Sequence, residues 1–173
     1  MSSLLGICLA LAVSAQADPP PAPVFVPGER VTLAWTHSIE KVRWEEDYLV
    51  QASPDPAVPP RLVATKARVR GSAAGMEPPD DAVLKNGWYE YTPQIAEVAA
   101  LRLTRSEFTA DYEICNVTGC QALSHWLPSD NAITLLTPCR SPEDGQAALA
   151  TTAQGRPGRH RMEFGALWLL ARV

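Results

Sequence analysis

The chain is made of short runs in which apolar and polar residues alternate, and each run is cut off by proline, glycine, asparagine or aspartate. Val31, Leu33 and Trp35 alternate with Thr32, Ala34 and Thr36, and a second run follows from Trp44 to Gln51. A period of two places successive side chains on opposite faces, the pattern of a half-buried strand and not of a helix. Leu62 to Arg70 alternates again, with Val63, Thr65, Ala67 and Val69 read as one face and Ala64, Lys66, Arg68 and Arg70 as the other. Gly87 to Thr92, Leu101 to Arg105, Phe108 to Cys115, Thr118 to Trp126 and Ala132 to Thr137 read as further short strands. The 16 prolines cluster between such runs, as in Ser53 to Pro60. Proline has no N–H to give to a ladder, so it marks connections and edges. The pattern predicts an all-β fold, an antiparallel β-sandwich or partly open barrel of about 8 short strands with little helix. One helical turn is expected at Thr92 to Val98, with Pro93 as its first residue.

A chain of 173 residues suffices for one domain with a real core. Charged residues make up 20% and both signs are interspersed, for a net charge of -4. That balance argues against nucleic acid or an anionic membrane surface as the main partner, because both reward a basic face.

Leu4 to Val13 is an apolar run, and Ala15-Gln16-Ala17 follows it. Together they read as the core and cleavage site of a signal peptide over residues 1–17, although no Lys or Arg precedes the run. The run is too short to span a bilayer, so no transmembrane span is expected in the mature chain. An exported, periplasmic protein starting at Asp18 follows from this reading. It would comprise a proline-rich leader (18–28), a β domain (29–140), a flexible loop (141–161) and a C-terminal strand or docking segment (162–173). Cys8 is not read as a lipoprotein cysteine, because Ile7 precedes it where a small residue is expected. Cys115, Cys120 and Cys139 remain after cleavage, in a compartment that permits disulfides. Cys115 and Cys120 flank a four-residue hairpin tip and are the favoured pair, with Cys139 as a competitor for either. No C-x-x-C pair is present, so neither a zinc site nor thioredoxin-type chemistry is expected, and no cofactor is implied.

Trp35 to Val50 concentrates the chemically active residues. With Ser38 to Arg43 as the loop of a hairpin, 37 faces 44, 35 faces 46 and 33 faces 48. One face then carries Val31, Leu33, Trp35, His37, Trp44, Glu46, Tyr48 and Val50: an apolar face with a polar mouth at His37 and Glu46. A histidine beside a carboxylate beneath two tryptophans can anchor an anion, hold a metal or act as a base. Ser38 lies next to His37, but adjacent strand residues point apart and no G-x-S-x-G elbow is present. Glu45 and Glu46 diverge for the same reason, which counts against a shared metal or a glycosidase pair. Their ordinary role is a hydrogen-bonded cluster that fixes the hairpin. The second candidate block is Arg70 to Pro78, R-G-S-A-A-G-M-E-P, whose Gly71 and Gly75 allow a tight turn and close approach of another group. It lacks the Lys-Ser/Thr and the following helix of a phosphate loop.

T-H-S-I-E-K with W-E-E-D-Y, then A-R-V-R-G-S-A-A-G-M-E-P-P, L-K-N-G-W-Y-E-Y and F-T-A-D-Y-E-I-C occur in this order. These blocks resemble the bacterial family called domain of unknown function 1850, over roughly Glu29 to Cys139. The resemblance implies a small exported protein associated with TAXI-type TRAP importers, whose periplasmic binding protein collects carboxylate-containing solutes. It implies no catalytic residue. It makes His37, Ser38, Glu40, Glu45, Glu46, Gly71, Gly75 and Met76 candidates for a pocket or docking surface. The partner would then be the TRAP binding protein or permease, or a small carboxylate-containing solute. The alternative is a small periplasmic hydrolase or metal-dependent enzyme using His37 with Glu45 or Glu46.

Overall fold

The computed structural model describes residues 4–12, 18–19, 21–71 and 78–141. The segments read as a flexible loop and a C-terminal strand, like Gly75 and Met76, lie outside the described residues. What is described is an antiparallel two-sheet fold, not closed into a barrel. One sheet contains β1 (Leu5–Leu11), β2 (Val24–Pro27), β9 (Leu101–Thr104) and β12 (Ile133–Arg140), in the order β2-β1-β12-β9. The larger sheet contains β3 (Arg30–Thr36), β4 (Arg43–Gln51), β5 (Arg61–Val69), β6 (Val83–Lys85), β7 (Trp88–Tyr91), β10 (Glu113–Asn116) and β11 (Gly119–Ala122). Its order is β11-β10-β3-β4-β5-β7-β6, with β8 (Glu97–Val98) paired to β5 off that path. Among the described residues no helix is long and apolar enough to cross a membrane.

Among the described residues the strands exceed the expected eight by four, because β1, β2, β6 and β8 were not visible in the alternation. The apolar run expected to leave with a signal peptide is strand β1 here, held between β2 and β12. Val24–Pro27, expected within an extended leader, is β2. Cys139 does not compete for Cys115 or Cys120. It bonds Cys8, across the β1–β12 pair, and Cys115 bonds Cys120 across the β10–β11 hairpin as expected. The helical turn expected at Thr92 to Val98 is instead irregular chain, bent at Gln94, that enters β8. The helical turn that does occur is α1 (Leu123–Trp126), inside the run read as a strand over Thr118 to Trp126. Leu123 is its only buried residue, so burial of one side chain, not an amphipathic period, places it.

The reading of β5 changes as well. Its buried positions are Leu62 and Ala64, then Ala67 and Val69. The phase changes at a β-bulge, where Asp47 pairs with Lys66 and Tyr48 with Ala64, leaving Thr65 unmatched. An extra residue on one strand reverses which side chains face the core. Thr65 Oγ1 donates to Asp47 O at 3.0 Å and occupies the irregularity.

The core lies between the sheets. Ile7, Leu9, Val26, Leu101 and Leu136 come from the smaller one, and Leu33, Trp35, Trp44, Tyr48, Val50, Leu62 and Ile114 from the larger. A fully buried Leu or Ile stabilises by about 2–3 kcal/mol relative to exposure, which makes Ile7 and Leu9 substantial contributors.

A buried ion pair joins the layers. Arg105, at the end of β9, is 3% exposed and donates from Nε and Nη2 to Asp111 Oδ1 and Oδ2, both at 2.8 Å. Its Nη1 donates to Leu127 O just beyond α1 at 2.8 Å and approaches Thr134 Oγ1 on β12 at 3.4 Å. Asp111 also accepts the backbone N–H groups of Tyr112 and Ser124. Burial works to raise the Asp111 pKa, but the Arg105 hydrogen bonds and charge and the Ser124 N–H outweigh it and hold the carboxyl below its ordinary value. Stability from this pair is therefore present above the ordinary carboxylate pKa and is lost as pH falls through the lowered one. Replacing Asp111 by alanine strands a guanidinium in the core, and should cost about 3–5 kcal/mol. Urea unfolding of Asp111→Ala at neutral pH checks this; a cost under about 1 kcal/mol would mean the pair is dispensable.

Candidate functional site

The β3–β4 hairpin is tighter than expected. Trp35 pairs with Trp44 and Leu33 with Glu46, two positions away from the register read in the sequence. An even shift leaves every side chain on its expected face, so the apolar inner face survives while the cross-strand partners change. His37 N–H donates to Val42 O at 2.8 Å, and Lys41 N–H donates to His37 O at 2.9 Å. The turn is thus closed at Ser38 to Lys41, with Lys41 at φ 56. His37 and Glu46 consequently separate along the strand: one belongs to the turn, the other to the core.

His37 is 7% exposed and lies flat against Trp44, with ring centroids 4.5 Å apart and planes at 17°. Its Nδ1 accepts the Glu40 N–H at 3.3 Å. A neutral imidazole that accepts at Nδ1 carries its proton on Nε2. Trp44 in turn meets Trp35 edge-on at 6.1 Å and donates from Nε1 to Arg70 O at 3.3 Å. That bond ties the hairpin to the end of β5, and so to the second candidate block.

The two blocks meet at Gly71. Its φ is +81°, a left-handed conformation that side chains disfavour. A Cβ placed there would lie 2.7 Å from Glu40 Oε2, so the Glu40 carboxylate lies directly over the glycine backbone. Beside them Arg70 sits over the Trp88 ring, 4.2 Å from its centroid. Ile39, at the tip of the turn, is 74% exposed. This end of the larger sheet is therefore a rim made of the turn, Arg70, Gly71 and Trp88. An aromatic stack supports it from below.

Glu45 and Glu46 fall on opposite faces. Glu45 is outside, paired with Arg43 at 2.6 Å and with Arg68 at 2.8 Å. Arg68 also pairs with Asp47, and Arg43 with Glu113. These ions brace the outer face of the sheet. Glu46 is inside, 6% exposed, in a row across the sheet formed by Ile114, Leu33, Glu46, Ala67 and Tyr91. Tyr48 Oη donates to Glu46 Oε2 at 2.5 Å. Burial raises the Glu46 pKa to about 7, and the Tyr48 bond only partly opposes it. Burial, then the Glu46 charge, pushes Tyr91 up to about 12. Tyr112 rises to about 12 through burial, Asp111 and Glu46 in that order. Tyr112 Oη has no hydrogen-bond partner among the described residues.

The sequence reading named His37, Ser38, Glu40, Glu45, Glu46 and Gly71, and the structure brings His37, Glu40 and Gly71 together. Ser38 lies in the same turn. Glu45 and Glu46 point away from this rim, to the outer face and the core. Trp44, Arg70, Trp88 and Ile39 were not named as site residues. Only the aromatic content around His37 pointed to the first of them. Arg70 opens the second candidate block, but its contact with Trp88 could not be found without the β5–β7 pairing. Among the described residues no group of three or more His, Cys, Asp or Glu is placed to hold a metal.

In the folded protein Glu46 keeps its proton to about pH 7, against an ordinary value of 4.5. Its contribution to stability is then full below about 4.5 and is lost as pH rises through about 7. Glu46→Gln, which cannot ionise, should gain on the wild type between pH 5 and pH 8, by about 2 kcal/mol at the upper end. Urea unfolding of both proteins at the two pH values measures this. A difference that stays constant would place the Glu46 pKa at its ordinary value.

The sequence model of the family described as Domain of unknown function (DUF1850) matches residues 31–123, more than half of the chain. The matched span contains both blocks of the rim. No curated protein and no solved structure matches the chain.

Proposed function

This chain belongs to the DUF1850 family, and from the geometry of the rim we propose that it is a binding domain that docks on a protein partner outside the cytoplasm through the Ser38–Lys41 turn and the Arg70–Gly71 segment. The observation that carries the proposal is an isoleucine, 74% exposed, at the tip of a turn held from beneath. The His37–Trp44 stack, the Glu40 N–H bond and the Trp44–Arg70 bond all restrain the turn that carries it. An apolar tip that is already ordered loses little conformational entropy on docking and gains by leaving water. Glu40 and Lys41, which follow it in the turn, supply charges that can orient a partner.

The resemblance noted from the sequence blocks supplies the partner class: the solute-binding protein or the permease of a TAXI-type TRAP importer. Two disulfides support an oxidising location. The catalytic alternative is less well supported, because the side chains it needs are engaged elsewhere. His37 Nδ1 takes a backbone N–H, Glu45 is paired with two arginines on the outer face, and Glu46 is bound to Tyr48 in the core. A solute reading finds less support among the described residues. One solvent-open cleft of about 570 Å³ lies by Pro60, Arg61 and Glu97, and another of about 410 Å³ by Arg30, Asp47 and Arg68. Neither is lined by His37, Glu40 or Gly71.

Ile39→Asp tests the reading with little risk to the fold. Binding to the purified TRAP solute-binding protein and to the detergent-solubilised permease is measured by calorimetry for wild type and variant. The expected result is a complex with one of them, weakened at least about tenfold by the substitution, with an unchanged melting temperature. Wild-type binding that survives Ile39→Asp would move the interface away from the rim.

A further inference from the structure

The N-terminal run is chemically ambiguous as a sequence, and the fold resolves what it can do. Strand β1 is interior to the smaller sheet, with β2 on one side and β12 on the other. It pairs with β12 over its whole length, from Leu5 opposite Arg140 to Leu11 opposite Thr134. The pairing is closed at both ends: Ala12 N–H donates to Ile133 O, while Leu4 and Ser141 exchange two hydrogen bonds. Ile7 and Leu9 are fully buried against the larger sheet. At Gly6 the fit to β2 is so close that a Cβ would lie 2.2 Å from Val26 O and 2.7 Å from the Phe25 ring. Cys8, on the face opposite Ile7 and Leu9, is bonded to Cys139.

We propose that Leu5–Leu11 stays in the working protein as an interior strand fastened by the Cys8–Cys139 disulfide, so that any cut releasing a leader falls before Cys8. Three features carry this, and none is needed by a discarded leader. A leader has no requirement for a glycine where a neighbouring strand leaves no room for a side chain. It has no use for a cysteine opposite another strand's cysteine. It also has no reason to place Ile7 and Leu9 in a shared core and Cys8 between them on the other face. Loss of residues 1–17 would split the smaller sheet, leaving β2 without its partner strand and β12 with an open edge. It would also uncover Val26 and Leu136 and leave Cys139 as a free thiol. The inference is independent of the docking proposal, whose rim lies at the β3–β4 turn.

The test is direct. The protein is purified from cells that make it, alkylated, and digested with trypsin without reduction. The sequence has no Lys or Arg before Arg30 and none between Ser106 and Cys139. The expected product is therefore the N-terminal peptide ending at Arg30, disulfide-linked to the peptide spanning residues 106–140. A mature N-terminus at Asp18 with an alkylated Cys139 overturns the inference. An N-terminal peptide recovered free, with Cys8 alkylated, overturns the fastening. As a second measurement, the chain lacking residues 1–17 should lose its cooperative unfolding transition. Cys8→Ser with Cys139→Ser should instead fold with a melting temperature lower by on the order of 10 °C. A truncated chain that melts like the full one also overturns the inference.

Discussion

The guanidinium of Arg105 is the point at which the two sheets and the helical turn are tied together. Its own strand, β9, and the hydroxyl it approaches, Thr134, belong to the smaller sheet. Its carboxylate partner leads into β10 of the larger sheet, and its carbonyl partner follows α1. A buried arginine is tolerable only when nearly all its donors are used, and four bonds here meet that demand. The geometry in turn dictates where Tyr112 enters the core, because Asp111 also accepts the Tyr112 N–H. The Tyr112 ring then packs 6.2 Å from Trp35, beneath the hairpin that carries the rim.

From that anchor the larger sheet builds toward the rim. Its central strands β3, β4 and β5 bury an aromatic and aliphatic face, and that face accommodates one carboxyl, Glu46. A buried carboxyl with a single phenol as donor is kept largely neutral by its surroundings, so the core tolerates it better in acid than in base. The outer face is the reverse: half-buried arginines and carboxylates in pairs, each charge matched by an opposite one. The contrast explains why two adjacent glutamates have unlike fates. Strand geometry sends them to opposite media.

Much of this was legible beforehand. The alternation over Val31 to Thr36 and Trp44 to Gln51 assigned both strands and their inner faces. The spacing of Cys115 and Cys120 located a disulfide hairpin. The candidate residues His37, Glu40 and Gly71 converge. What was not legible has identifiable causes. The hairpin register depended on turn geometry, which residue types alone did not specify, and the pairing moved by two. The phase of β5 depended on a bulge, for which Thr65 carries no distinctive mark. The run Leu4 to Val13 has the composition of a leader's core, and its pairing as β1 could not be read from it, because apolar residues alone do not distinguish such a core from a buried strand. Cys8 acquires its meaning only once Cys139 is known to lie opposite.

Sequence by itself determined the strands and inner faces of β3 and β4, the Cys115–Cys120 hairpin, and which residues carry chemistry, because those follow from side-chain period and type within a few residues. Tertiary structure alone decided which distant segments are neighbours: Gly71 beneath Glu40, Arg70 over Trp88, Asp111 on Arg105, Cys8 on Cys139. Those contacts depend on strand order, register and one bulge, which are properties of the whole packed arrangement. No local stretch of residues encodes them, because the free energy that selects them is shared among both sheets.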